Sequence, residues 1–184
     1  MVDIKTERLS IRLFTLDDAP FILRLLNEPS FIENIADRGV RDLEGARGYL
    51  RDGPLASYER NGFGLWRVGL AGTDSPIGMA GLLKRDFLDD IDIGYALLPE
   101  FCGAGYAFEA ASAVLNHAVS HLGAKRVVAI VAGHNQPSLK LLQKLGFNSE
   151  GTVRMPGEDE DLLCWHWSSE EACLPEPRPA LTAL

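Results

Sequence analysis

The segment Leu97–Ala110 constrains the fold more than any other part of this chain. An apolar strand ends here, and a loop that contains Gly103 and Gly105 leads directly into a long alanine-rich helix. A helix that begins at such a loop presents unpaired backbone N–H groups and a partial positive charge, which together bind anions such as a pyrophosphate. Two glycines also make an ordinary tight turn, so the loop alone leaves both interpretations open.

The remaining sequence alternates between strand and helix periods. The order β-α-α-β-β-β-α-β-α-β-β predicts an α/β (α+β) fold, with a mixed central sheet and helices on both faces. The predicted strands are Arg8–Phe14, Phe63–Ala71, Ile77–Phe87, Ile91–Leu98, Arg126–Ala132, Phe147–Val153 and Asp161–Trp167. The predicted helices are Thr15–Leu26, Asp42–Arg60 with an interruption at Gly53-Pro54, Ala104–His121 and Pro137–Leu145.

Size and composition favour one soluble domain. The 184 residues suffice for a single core, which we assign to residues 6–170, followed by a Pro-rich extended tail at residues 171–184. The formal charge of -8 argues against a nucleic-acid partner, since that function needs a basic face. No stretch approaches the roughly 20 apolar residues of a membrane span. The charged start and the odd set Cys102, Cys164 and Cys173 predict a cytoplasmic protein. The oligomeric state is left open between a monomer and a homodimer.

Several alternative sites fail on spacing. A dinucleotide fingerprint needs glycine where Phe108 stands, and no G-K-[ST] follows any glycine, so a general nucleotide-binding protein is disfavoured. His117 and His121 have the spacing of a zinc pair but lack the adjacent glutamate, and we predict no metal. No local arrangement of a His with an acidic residue supports Cys102 as a nucleophile.

Two longer motifs carry a specific resemblance. Ile93–Ala111 contains I-G-Y, a proline and then G-A-G-Y-A-F-E-A, and Val128–Phe147 contains a strand, N-Q-P-S and a helix that ends K-L-G-F. With the opening T-E-R-L-S-I-R at Thr6–Arg12, this pattern resembles the GNAT superfamily of N-acetyltransferases, in the branch of the ribosomal-protein N-terminal acetyltransferases. The resemblance extends from Thr6 to about Ser168 and implies acetyl-CoA as the acyl donor.

The resemblance also implies roles for individual residues. In this family the strand before the loop bulges and splays from its neighbour, which opens a cleft for the pantetheine arm. Backbone groups of Tyr95, Ala96 and Leu97 are then expected to pair with the arm, and an N–H near Leu97 to stabilise the thioester oxyanion. The N–H groups expected at the pyrophosphate are those of Cys102, Gly103, Ala104, Gly105, Tyr106 and Ala107.

The start of the second motif is expected to supply the catalytic acid. The family often uses a tyrosine where Leu142 stands, so the resemblance favours Ser138 as the group that protonates the departing thiolate, with Asn135 at the coenzyme. Both residues are also ordinary helix-start residues around Pro137. The glycine loop lacks the family's usual basic residues, and Lys140 or Lys144 is the nearest replacement, unless both simply line a solvated helix face.

The general base stays open between Asp92, His134 and the acidic cluster Glu158–Asp161. The predicted function is an acetyl-CoA-dependent N-acetyltransferase that acts by direct attack of a primary amine. The acceptor is left open between a protein N-terminus, an amino-sugar antibiotic, a polyamine and another small amine. The alternative function is a GNAT-fold domain that binds acyl-CoA as a regulatory ligand without turnover.

Overall fold

A computed structural model describes residues 2–170 of the chain. The strands are β1 Asp3–Lys5, β2 Leu9–Arg12, β3 Leu65–Leu70, β4 Pro76–Leu83, β5 Ile91–Leu97, β6 Arg126–Val131, β7 Asn148–Arg154 and β8 Asp161–Ser168. The α-helices are α1 Ala19–Leu26, α2 Pro29–Asn34, α3 Leu43–Leu50, α4 Ala56–Asn61, α5 Tyr106–Leu122 and α6 Gln136–Lys144. The tail predicted at residues 171–184 lies outside the described residues, and the domain assignment stays a prediction.

The strands form one eight-stranded sheet in the order β1-β2-β3-β4-β5-β6-β8-β7. The β5–β6 pair is parallel and every other pair is antiparallel. The last strand, β8, therefore lies between β6 and β7. This mixed sheet confirms the predicted α/β class.

Alternating side chains of the strands support helices on both faces of the sheet. On one face, Trp66 and Val68 of β3 belong to the same buried cluster as Ala111 and Val114 of α5. On the other face, Met79 of β4 packs with apolar residues of α1 and α3. Because successive side chains of a strand point to opposite faces, the sheet contributes to two separate hydrophobic cores.

The parallel strands β5 and β6 pair over a very short distance. Their register joins only Ile91 to Val127 and Asp92 to Val128, and beyond Asp92 the two strands diverge. The expected splay is present, but the expected bulge in β5 is wrong: its pairing with β4 is regular from Asp92 to Leu97. Because β5 is held on its β4 side, its other backbone edge is left open toward the gap.

Sequence reasoning missed two short elements and shifted some boundaries. It omitted β1 and α2, which are three and six residues long and lack a full hydrophobic period. The interruption at Gly53-Pro54 is a π-helical turn, Arg51–Leu55, that joins α3 to α4, since Pro54 cannot donate a helical hydrogen bond. Several ends also differ; for example, α5 begins at Tyr106 rather than Ala104, and β4 ends at Leu83 rather than Phe87.

Candidate functional site

A cavity of about 690 Å³ runs along the gap between β5 and β6. The glycine loop and the start of α5 close one end of it, and Asp92 lies where the two strands meet. Residues along most of α6 and part of α2 form further walls. The predicted binding residues among its lining are Tyr95, Ala96, Leu97, Cys102, Gly103, Gly105, Ala107, Asn135, Ser138 and Lys144.

The glycine loop adopts a conformation that favours glycine at two positions. Gly103 and Gly105 have φ angles of 78° and 85°, in the left-handed region where a side chain is strained. A Cβ added to Gly103 would meet no atom within 4 Å, so this position opens onto free space. The loop then leads into the 17 residues of α5, whose first N–H groups have no helical acceptors. The loop and the start of α5 therefore present backbone N–H donors of the kind that bind an anion.

Arg8 fixes the outer side of the same loop. Its Nη1 donates to the carbonyl oxygen of Ala104 at 2.9 Å, and its guanidinium lies 4.5 Å from the centre of the Tyr106 ring. Its Nε donates to the Glu109 carboxylate at 2.7 Å, in the first turn of α5. Partial burial raises the pKa of Glu109, but hydrogen bonds from Thr6 and Arg8 outweigh that effect and lower it. A cation thus stands beside a loop that has no basic side chain of its own.

Ser138 and Tyr95 meet across the cavity. The Ser138 Oγ and Tyr95 Oη atoms are 2.8 Å apart, in a hydrogen bond that either hydroxyl can donate. Burial raises the pKa of Tyr95 to about 12, so the phenol stays protonated at neutral pH. Asn135 accepts the Ser138 backbone N–H at 3.1 Å and caps α6, as the helix-start interpretation predicts. The family's usual tyrosine position, Leu142, is fully buried and cannot donate.

Asp92 is a buried carboxylate at the apex of the cavity. It is 1% exposed, and its Oδ2 accepts a hydrogen bond from Arg85 Nε at 2.6 Å. Its Oδ1 has no hydrogen-bond partner among the described residues. Desolvation raises the pKa of Asp92 to about 6, while Arg85 and the backbone at Ile130 offset only part of that shift. A carboxylate with this pKa is ionised near pH 7 and still basic enough to accept a proton.

The other predicted residues lie off the cavity wall. Ala104 and Tyr106 are not in its lining and instead contact Arg8. His134 is exposed and contacts the carbonyl oxygen of Glu33 at 3.2 Å. The acidic cluster Glu158–Asp161 is exposed, and Asp161 pairs with Arg154. Of the three candidate bases, Asp92 alone lines the described cavity.

Lys144 and Lys140 both line the cavity, and Lys144 Nζ lies 4.4 Å from the centre of the Phe108 ring.

Sequence reasoning did not find Arg8, Arg85 or the hydroxyl role of Tyr95. Arg8 is part of the opening motif, which was its only signal, whereas the other two act through contacts between distant segments.

Within residues 2–170, no group of three or more His, Cys, Asp or Glu side chains has the arrangement of a metal site. No helix in that range is long and apolar enough to cross a bilayer.

The chain resembles several known proteins over most of its length. It is 29% identical to the uncharacterized N-acetyltransferase YoaA of Bacillus subtilis over 154 residues, which cover 82% of this chain and 85% of YoaA. It is also 29% identical to the uncharacterized N-acetyltransferase p20 of Bacillus licheniformis, over 84% of this chain and 86% of p20.

Solved structures share the fold. A GNAT-family acetyltransferase of Bacillus anthracis has a TM-score of 0.77 at 26% identity, covering 92% of this chain and 100% of that one. RimL, a ribosomal L7/L12 α-N-protein acetyltransferase in complex with coenzyme A, has a TM-score of 0.78 at 16% identity, covering 91% and 98%. Residues 8–148 match the family described as the acetyltransferase (GNAT) domain. This chain therefore belongs to the GNAT acetyltransferase family and is an acetyltransferase enzyme.

Proposed function

We propose that this protein is an acetyl-CoA-dependent N-acetyltransferase in which a primary amine attacks the thioester directly. The observation that carries the proposal is one continuous cavity, which links the glycine loop to Asp92 and Ser138 along the gap between β5 and β6. An extended coenzyme with a phosphate end and a reactive end fits such a channel. The solved structure of RimL, which shares the fold, is of its complex with coenzyme A, and this supports acetyl-CoA as the acyl donor here.

The loop and the start of α5 are proposed to hold the pyrophosphate. The N–H groups of residues 103–107 supply donors, whereas the expected donor at Cys102 is already bonded to the Pro99 carbonyl oxygen at 3.1 Å. The positive φ angles of Gly103 and Gly105 turn the backbone toward the ligand. Lys140 and Lys144 line the cavity and add positive charge. Coenzyme affinity would then come from main-chain donors and the helix terminus, with side-chain cations in support.

The open edge of β5 is proposed to hold the pantetheine arm. The N–H of Leu98 donates to the carbonyl oxygen of Ile77 at 2.8 Å, on the β4 side. Because the backbone groups of successive strand residues alternate in direction, those of Leu97 and Tyr95 point toward the gap. They are available to the arm, and an N–H group of this open edge is a donor for the oxyanion that forms during attack. The backbone of Ala96 faces β4 instead, so its expected pairing with the arm is not part of the proposal.

Three side chains are proposed to manage the protons. The acceptor ammonium loses a proton to Asp92, and the free amine forms a C–N bond at the thioester carbonyl. The C–S bond then breaks, and the departing thiolate takes the proton of Ser138. The amine nitrogen loses its second proton as the amide forms, and this proton restores the Ser138 hydroxyl through Tyr95, a protonated phenol 2.8 Å away. Asp92 then releases the first proton to solvent. The products are an amide and free coenzyme A, and no covalent enzyme intermediate is needed.

Thiol release across a panel of amines tests this proposal. The purified protein, acetyl-CoA and each amine are incubated together, and free coenzyme A is measured with a chromogenic disulfide. The panel includes amino acids, a polyamine, an aminoglycoside and peptides with free N-termini. We expect amine-dependent release for at least one class, and its loss in Asp92→Asn. If acetyl-CoA raises the melting temperature but no amine releases thiol, the regulatory acyl-CoA-binding function is favoured instead. A cytoplasmic location stays a prediction.

A further inference from the structure

A second cavity, of about 580 Å³, adjoins the acetyl-transfer site. Its lining consists of Arg60, Lys84, Arg85, Asp86, Phe87 and Pro156. Arg85 also lines the first cavity, so the two spaces meet at this side chain. An acceptor that reaches Asp92 by way of this second cavity must pass its charged wall.

The wall is cationic although the whole chain carries a formal charge of -8. Three of its side chains are basic and one, Asp86, is acidic. Within residues 2–170, Arg60 forms no ion pair, and Lys84 donates only to the carbonyl oxygens of Leu88 and Asp89. No carboxylate in that range pairs with either charge. A local excess of positive charge beside the reactive end of the site attracts an anionic group.

Arg85 has donors to spare for such a group. Its Nε is bonded to Asp92, while its two terminal nitrogens form no hydrogen bond within the described residues. Asp92 in turn has one unpartnered oxygen, Oδ1, although its side chain is only 2% exposed. Asp92 therefore offers a free hydrogen-bond acceptor, Oδ1, beside the free N–H donors of Arg85. A guanidinium binds a carboxylate in this way through two parallel N–H groups.

We infer that the acceptor is a small amino acid, whose amine faces Asp92 and whose carboxylate faces Arg85 and Arg60. An amino acid carries its ammonium and its carboxylate on neighbouring positions of a single carbon. This close spacing matches Asp92 and Arg85, which are joined by a 2.6 Å hydrogen bond. Polyamines and aminoglycosides lack the anionic group and would meet the cationic wall unfavourably. Phe87 and Pro156 supply apolar surface for the side chain of the amino acid. This inference rests on the proposed transferase activity.

Matched acceptors test the inference. Each standard amino acid is compared with its amide and with its decarboxylated amine, and kcat/KM is corrected for the fraction of free amine. For the preferred amino acid we expect the carboxylate to raise kcat/KM about ten- to hundredfold over the amide, as for a charge-assisted hydrogen bond. After that correction the more basic amine is the stronger nucleophile, so intrinsic reactivity alone would favour the decarboxylated amine over the amino acid.

Two variants and a control locate the effect. Arg85→Gln should remove most of the preference for the carboxylate, measured as the ratio of kcat/KM for the amino acid to kcat/KM for its amide. Arg60 does not contact Asp92, and Arg60→Gln should reduce the preference for the carboxylate severalfold. Arg47→Gln, which removes an exposed arginine paired with Glu44 elsewhere, is the control and should change nothing.

The outcomes separate the two proposals. If amides, polyamines or peptides are acetylated as well as the amino acids, or if Arg85→Gln keeps the full preference, the amino-acid inference is wrong and the transferase function stands. If no amine releases coenzyme A although acetyl-CoA binds, both are wrong.

Discussion

The most informative perturbation of the coenzyme site is a pair of isosteric substitutions at Gly103. This glycine lines the cavity with a φ of 78°, and a Cβ built on it meets no atom within 4 Å. Asp and Asn tolerate this backbone region better than other residues, so each should cost about 1 kcal/mol of folding free energy. They differ in charge alone, and their comparison isolates electrostatics at the proposed pyrophosphate site.

The magnitude follows from Coulomb's law. A carboxylate about 4 Å from one phosphate charge costs about 1 kcal/mol in water-like surroundings, hence about 2 kcal/mol for a pyrophosphate. Calorimetry should show that Gly103→Asp binds acetyl-CoA about thirtyfold more weakly than Gly103→Asn. Gly105 is less suitable, since a Cβ there lies 3.4 Å from Arg8 Nη2, and an acidic side chain would pair with that cation.

The control is Gly123→Asp, at the opposite end of α5. Gly123 has a φ of 66°, and a Cβ at this position would also meet no atom within 4 Å, so the folding cost should be similar. Its effect on the Kd should be negligible because the site is remote. Equal affinities for the Asp and Asn variants at position 103 would refute the assignment of this loop to the pyrophosphate.

Three further predictions concern the reactive end and the core. Ser138→Ala should lower kcat by about 10²- to 10⁴-fold with little change in KM, and Tyr95→Phe by a smaller factor; full turnover in Ser138→Ala would exclude it as the acid. Because the pKa of Asp92 is raised to about 6 and the base must be ionised, kcat/KM should rise as pH increases through about 6; that inflection should be absent from residual activity in Asp92→Asn. Arg67 is buried between Asp18 at 3.1 Å and Asp74 at 2.7 Å. Arg67→Met should therefore lower the free energy of unfolding, measured in urea, by about 3 kcal/mol. A change near zero would mean that Arg12 alone compensates the charge of Asp18.

Local sequence signals accounted for most of the elements and for one half of the site. The strand, glycine loop and helix around Gly103 depend on neighbouring residues, and their form was therefore predictable. Asn135 and Ser138 were predictable for the same reason, since helix starts have local signatures. Elements without a full period, such as α2, gave no such signal.

The other half of the site depends on contacts between distant segments. Tyr95 and Ser138 are 43 residues apart, and Arg8 reaches Ala104 across 96 residues. The pKa of Asp92 is a consequence of burial at the point where β5 and β6 part, and sequence alone does not fix how far two strands stay paired. Asp92 could therefore be named as a candidate base but not chosen over His134.

Every proposed role depends on acetyl-CoA lying in the gap between β5 and β6, with its thioester at Asp92 and Ser138. A crystal structure of the protein with acetyl-CoA tests this position most directly. We expect density for the pyrophosphate at residues 103–107, for the pantetheine arm along the open edge of β5, and for the sulfur within hydrogen-bond distance of Ser138 Oγ. A coenzyme bound outside this gap, or one whose thioester lies far from both side chains, would contradict the proposed mechanism.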